Sequence, residues 1–132
     1  MSTVLAQGTT ILENVAKEPE IEDLCKFLNK MGAKISGLCS NKLVIEGVQK
    51  LNGTKYSVMS DRIEAGTFMI ASAITKGNVL IKNVVPEHLD IIISKMIEPG
   101  VKITIENESD LRVVGTGEIL PVSIETLPYP GF

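Results

Sequence analysis

Apolar positions along this chain keep two rhythms, one of helices and one of strands. Ile21, Leu24, Cys25 and Leu28 stand at i, i+3, i+4 and i+7, and Leu89, Ile92, Ile93 and Met96 repeat that spacing. Each set draws one apolar stripe along an amphipathic helix. Pro19 and Pro86 occupy the first helical position, where a missing N–H costs nothing. Glu20 and Glu87 follow, where a carboxylate meets the positive end of the helix dipole. Gly32 and Gly100 stand where each helix should close in the left-handed region. A further helix is predicted from Arg62 to about Lys76, with Ile63, Gly66, Thr67, Ile70 and Ile74 able to share one face. Its Ala65, Gly66, Ala71 and Ala73 are small enough to let neighbours come close. Strands are predicted over 9–15, 33–36, 42–46 and 55–58 before that helix, and over 78–84, 101–106, 111–114 and 119–125 after it. Turn residues separate them: Cys39-Ser40-Asn41 and Asn52-Gly53, then 107–110 and Gly115-Thr116-Gly117.

The two sets of elements are one unit used twice. Gly32-Ala33-Lys34-Ile35 returns 68 positions later as Gly100-Val101-Lys102-Ile103, and Leu43-Val44-Ile45-Glu46-Gly47 returns as Leu111-Arg112-Val113-Val114-Gly115. Upstream the offset is 69, since Gly8-Thr9-Thr10-Ile11-Leu12-Glu13-Asn14-Val15 matches Gly77-Asn78-Val79-Leu80-Ile81-Lys82-Asn83-Val84. The reading is a single partial domain over 1–132: repeat one at about 8–60, a linking helix at 61–76, repeat two at about 77–127, and a tail at 128–132. Each unit is expected to hold a four-stranded sheet with helices on one side. Its helix stripe must be buried, either by two units facing through their helices or by a third unit.

Composition narrows the class. The 132 residues suffice for one domain with a real core, and 44% of them are apolar, so the chain should fold. Trp is absent and aromatics are 4%, so that core is aliphatic. The net charge is −3 with acids and bases interleaved, which argues against a nucleic-acid surface. No apolar run is long enough for a membrane span. Two cysteines, Cys25 and Cys39, with no signal peptide ahead of them, read as reduced thiols in a cytoplasmic protein. Cys25 lies on the helix stripe and reads as core, whereas Cys39 sits in a turn. They stand 14 positions apart without a second ligand pair, so no metal site is expected. His88, the only histidine, reads as a solvated residue in the first turn of a helix.

Two strings carry more information than the rest: Asp61-Arg62-Ile63-Glu64-Ala65-Gly66-Thr67-Phe68 and the closing Pro128-Tyr129-Pro130-Gly131-Phe132. With Leu5-Ala6-Gln7-Gly8-Thr9-Thr10-Ile11-Leu12-Glu13-Asn14-Val15-Ala16-Lys17-Glu18-Pro19-Glu20-Ile21 and Leu28-Asn29-Lys30-Met31-Gly32-Ala33-Lys34-Ile35, they make the chain resemble the UDP-N-acetylglucosamine enolpyruvyl transferases (1-carboxyvinyltransferases) along its whole length. The resemblance implies an α/β (α+β) fold, in which βαβαββ units build inside-out α/β barrels with helices in the middle. This chain would supply two consecutive units of one barrel. It also implies the reaction: transfer of the enolpyruvyl group of phosphoenolpyruvate to the 3-hydroxyl of UDP-N-acetylglucosamine, with loss of phosphate, at the committed step of peptidoglycan synthesis. No cofactor is implied. That chemistry protonates the enol carbon and adds the sugar hydroxyl through a tetrahedral intermediate, so it needs an acid, a base and cations. The family's proton-donating cysteine loop has no match here, and Cys25 and Cys39 do not replace it. The family's aspartate follows the PYPGF run, and the chain stops before it. On this reading no catalytic residue lies in the chain, and it is expected to be inactive alone.

The candidates for the substrate cleft are Glu18, Glu20, Asp61 and Arg62, each with a plainer alternative. Asp61 and Glu64 form the D-x-x-E pattern of a capping box, which is structural. By resemblance, Asp61 and Arg62 border the cleft, where Arg62 would meet an anionic group; otherwise Arg62 pairs with Asp61 or Glu64 on the surface. Glu18 and Glu20 suit a helix start, and by resemblance Glu18 borders the inter-domain cleft. A different class of function also fits the sequence: a free-standing, non-catalytic two-unit module. Such a module would self-associate or bind a partner through an open apolar helix face.

Overall fold

The computed structural model describes residues 1–131; Phe132, the last residue of the predicted tail, lies outside them. The chain divides into two compact units, Met1–Met59 and a second beginning at Ser60.

The first unit opens with a 3₁₀ turn, Ser2–Leu5, followed by β1 (Thr9–Glu13), α1 (Pro19–Lys30), β2 (Lys34–Ser36) and β3 (Lys42–Glu46). Strand β3 lies between β1 and β2 and is antiparallel to both. The two outer strands therefore run the same way with α1 as their crossover, a split βαβ unit. One sheet face is apolar: Leu43 and Ile45 of β3 and Ile35 of β2 are buried against Cys25 and Leu28 of α1 and Val4 of the opening turn. Alternation along β3 thus sends every second side chain into the core.

The second unit repeats this plan behind an added helix. It runs α2 (Arg62–Ile74), β4 (Asn78–Ile81), a 3₁₀ turn Pro86–Leu89, α3 (Asp90–Ile97), β5 (Lys102–Asn107) and β6 (Asp110–Val114). Strand β6 lies between β4 and β5, again antiparallel to both. Leu111 and Val113 are fully buried under Met69 and Ala73 of α2 and Met96 of α3, with Leu89 just before α3. The small residues of α2 do what their size allows. Ala65, Gly66, Ser72 and Ala73 are buried, and a Cβ built on Gly66 would sit 3.0 Å from Ile92 Cδ1.

The repetition extends to single hydrogen bonds. Ala33 N–H donates to the Leu28 carbonyl and Val101 N–H to that of Met96, each closing a helix. Gly32 and Gly100 take φ +103° and +102° at those closures, a conformation that favours glycine. Gly47 N–H donates to Gly8 and Gly115 N–H to Gly77, and Val15 and Val84 donate to Asn41 and Ser109. In unit one the Ser2–Leu5 turn stands where the last turn of α2 stands in unit two.

Three expectations are corrected. The sheets have three strands each among the described residues, since 55–58 and 119–125 carry no strand. Tyr56 is drawn to α1: its hydroxyl donates to Asp23 Oδ1 at 2.7 Å and its ring lies 5.1 Å from that of Phe27. That holds 55–58 against the helix rather than along a strand. In 119–125, Pro121 brings no N–H to a ladder. The strands at 9–15 and 78–84 stop early because Asn14 and Asn83 turn left-handed at φ 55° and 56°. The single helix expected after Pro86 is instead the 3₁₀ turn followed by α3.

Candidate functional site

The start of α2 is fixed by Asp61. Its Oδ1 accepts from the amides of Ile63 at 2.8 Å and Glu64 at 3.0 Å, satisfying donors that the helix leaves open. This oxygen is committed to the cap, so Asp61 acts here by placing the residues that follow it. The next residue, Arg62, is half-buried and points its guanidinium over the Tyr129 ring, 5.1 Å from the centroid. Tyr129 is presented by a tight turn closed by Gly131 N–H donating to the Pro128 carbonyl at 2.8 Å. A Cβ on Gly131 would fall 2.4 Å from Leu127 Cβ, so no larger residue fits this turn without a shift.

Arg62 and Tyr129 line a pocket of about 410 Å³ in the second unit. Its floor is apolar, from Ile63, Gly66, Ile70, Ile91 and Ile92, and its polar groups are Arg62, Thr67, Glu87, His88 and Asp90. An apolar concavity with a few convergent polar groups is the usual form of a small-molecule site. His88 corrects the sequence reading: it is half-buried, and its Nδ1 is shielded without a hydrogen-bond partner among the described residues.

Glu18 and Glu20 lie in the first unit, at the start of α1. Glu18 is the N-cap, and its carbonyl accepts from Ile21 N–H at 2.9 Å. Its side chain makes no cap hydrogen bond, and its Oε2 is shielded without a partner among the described residues. Glu20 is exposed in the first helical turn.

The cysteines are placed as their positions in the pattern suggested. Cys25 is buried, and burial pushes its thiol pKa up. Exposed Cys39 donates to Glu22 Oε2 at 3.0 Å; this hydrogen bond to a carboxylate is the main reason that its pKa is raised too. Both thiols are thereby made poorer nucleophiles. Among the described residues no group of three or more His, Cys, Asp or Glu side chains is arranged to hold a metal ion. No helix among them is long and apolar enough to cross a membrane.

The capping role of Asp61 was legible from the D-x-x-E string. The convergence of Tyr129, His88 and Arg62 on one pocket was not, because 67 positions separate Arg62 from Tyr129 and no local pattern links them.

A fold of this kind occurs in the enolpyruvyl transferase NikO from Streptomyces tendae. That structure superposes with a TM-score of 0.75 at 18% identity, over 97% of this chain and 31% of that one. The architecture is thus that of the enolpyruvyl transferases. The chain belongs to the EPSP synthase (3-phosphoshikimate 1-carboxyvinyltransferase) family, whose profile matches residues 1–132. Within it, the chain is 54% identical over 132 residues to UDP-N-acetylglucosamine 1-carboxyvinyltransferase 1 of Caldanaerobacter subterraneus subsp. tengcongensis, covering 100% of this chain and 32% of that protein. It is equally 54% identical to the protein of the same name from Halalkalibacterium halodurans, covering 30% of it. The chain therefore spans about a third of the length of these relatives.

Proposed function

We infer that this chain forms part of an enzyme that transfers the enolpyruvyl group of phosphoenolpyruvate to the 3-hydroxyl of UDP-N-acetylglucosamine, in the cytoplasm, for peptidoglycan synthesis. The observation that carries this reading is 54% identity along the entire chain to proteins bearing that sugar-nucleotide name. In this reading Arg62 offers a fixed positive charge to an anionic group of a substrate, where charge-assisted hydrogen bonds are strong and directional. Asp61 holds the first turn of α2 so that Arg62 keeps its place. Glu18 and Glu20 border the substrate cleft from the start of α1. The chain alone is expected to be inactive.

The test is phosphate release from phosphoenolpyruvate by the complete gene product, with UDP-N-acetylglucosamine or 3-phosphoshikimate as acceptor. Release that depends on the sugar nucleotide supports the reading. Release only with 3-phosphoshikimate, or none with either, overturns it. Arg62→Ala should lower kcat/KM by about tenfold or more, the loss of one charge-assisted contact.

A second reading, self-association of the chain through an apolar helix face, is favoured by one observation. Ile63, Ile70 and Ile74 of α2 are 57%, 46% and 66% exposed. They recur at helical spacing on one side of α2.

A further inference from the structure

We propose that Asn52-Gly53 is a site of spontaneous self-modification, where the Asn52 side-chain amide converts to an acid and loosens the segment that straps α1. Residues 47–58 carry no helix or strand, yet hydrogen bonds tie them to α1 at two places. Asn52 N–H donates to the carbonyl of Met31, the C-cap of α1, at 2.8 Å, and the Tyr56 hydroxyl donates to Asp23 Oδ1 at 2.7 Å. Where the strap passes the first anchor it is open. Asn52 and Gly53 are exposed, and a Cβ on Gly53 would meet nothing within 4 Å. Among the described residues no hydrogen bond holds the Asn52 carboxamide or the Gly53 N–H. The other asparagines differ. Asn29 and Asn107 have both ends of the carboxamide hydrogen-bonded. Asn14, Asn41, Asn78 and Asn83 precede valine or lysine, whose Cβ crowds the backbone nitrogen. Asn52 alone precedes glycine, which has no Cβ and the widest backbone freedom.

The step balances without an oxidant or a cofactor. Hydroxide takes the proton of the Gly53 nitrogen, which attacks the Asn52 side-chain carbonyl carbon. The new nitrogen–carbon bond closes a cyclic imide, the bond from that carbon to Nδ2 breaks, and ammonia leaves with a proton taken from water. Water then opens the imide. Opening at the side-chain carbonyl leaves aspartate, and opening at the main-chain carbonyl leaves isoaspartate. Either product places a carboxylate beside the C-terminal end of α1, where the helix dipole is negative, so the hold on Met31 weakens. Isoaspartate also adds a methylene to the main chain between the two anchors.

The experiment ages the complete gene product in warm, mildly alkaline buffer. Trypsin, cutting after Lys50 and Lys55, then releases peptide 51–55 for mass spectrometry. The amide-to-acid mass gain should accumulate in this peptide ahead of every other asparagine peptide, with aspartate and isoaspartate forms resolved by chromatography. Gly53→Val should slow the conversion about tenfold or more, because a branched side chain crowds the attacking nitrogen. Position 53 is open enough to accept it. Asn52→Asp supplies the charge without the extra methylene. Hydrogen exchange over 48–58 should run about two- to fivefold faster in that variant than in fresh wild type, and faster again in aged protein rich in isoaspartate. A peptide 51–55 that keeps its amide while other asparagines convert, or equal conversion in Gly53→Val, overturns the inference. Unchanged exchange in both Asn52→Asp and aged protein overturns the loosening of the strap. None of these outcomes depends on which reaction the enzyme catalyses.

Discussion

Single residues decide where this backbone has no room. A Cβ at Gly47 would lie 1.6 Å from the Ala6 carbonyl oxygen, and one at Gly53 would meet nothing within 4 Å. Backbone cannot swing aside as a side-chain tip can. Gly47→Ala should therefore cost about 2 kcal/mol or more, within the range for forced overpacking. Gly53→Ala should be neutral or slightly stabilising, through lost freedom of the unfolded chain. Paired urea melts of the two variants check this, and equal midpoints would refute it. Met69 is wholly buried in the same core cluster as Leu111 and Val113. Met69→Ala should cost about 2–5 kcal/mol by the same assay. Asp110 offers a pH test. Its carboxylate accepts from the Asn107 side chain and the Asn83 amide, which hold its pKa below the ordinary value. A folded pKa that is depressed means stabilisation present above the unfolded pKa and lost as pH falls through the folded one. The Asn83 amide shift should accordingly titrate below about pH 4, and Asp110→Asn should remove that step. A midpoint at or above the ordinary aspartate value would contradict the assignment.

At the scale of elements, caps and turns matter as much as stripes. Asp61→Ala removes the acceptor for two amides of α2 and should cost about 0.5–2 kcal/mol. Asp61→Asn, which keeps an acceptor oxygen, should recover most of it, and thermal melts compare the two. If both variants melt alike, the cap is not what Asp61 contributes. Both repeats end their first strand at a left-handed asparagine and their helix at a left-handed glycine. Where the copies differ, a side chain explains it. Asn29 brackets β2, its Nδ2 donating to the Ile35 carbonyl and its Oδ1 accepting from Ile35 N–H, both at 2.8 Å. The second copy has Ile97 at that place, 68 positions on, and cannot do this. The helix stripes were legible because burial imposes one period on them. The two fourth strands were misread because alternation alone does not supply a partner edge, and because Tyr56 finds a hydrogen bond on α1 instead.

For the whole molecule, the exposed face of α2 gives a direct test of self-association. If the second reading holds, sedimentation of the 132-residue chain should show an oligomer that Ile70→Glu/Ile74→Lys converts to monomer. A wild-type monomer across the micromolar range would dismiss that reading. Under the proposed function, transfer activity belongs to the complete gene product rather than to a chain that spans about a third of its relatives.

Sequence by itself determined the repeat, the helix stripes, the starts of α1 and α2, the glycines that close α1 and α3, the central strands and the family. Those features are written in local chemistry: the period of burial, the missing N–H of proline, the freedom of glycine, and long runs of shared residues. Tertiary structure alone decided how many strands each sheet holds, that His88 is half-buried, and that Tyr129 lies under the Arg62 guanidinium. These depend on which distant segments meet, and that is set by competition among partners far apart in the chain. No window of neighbouring residues contains the outcome of that competition.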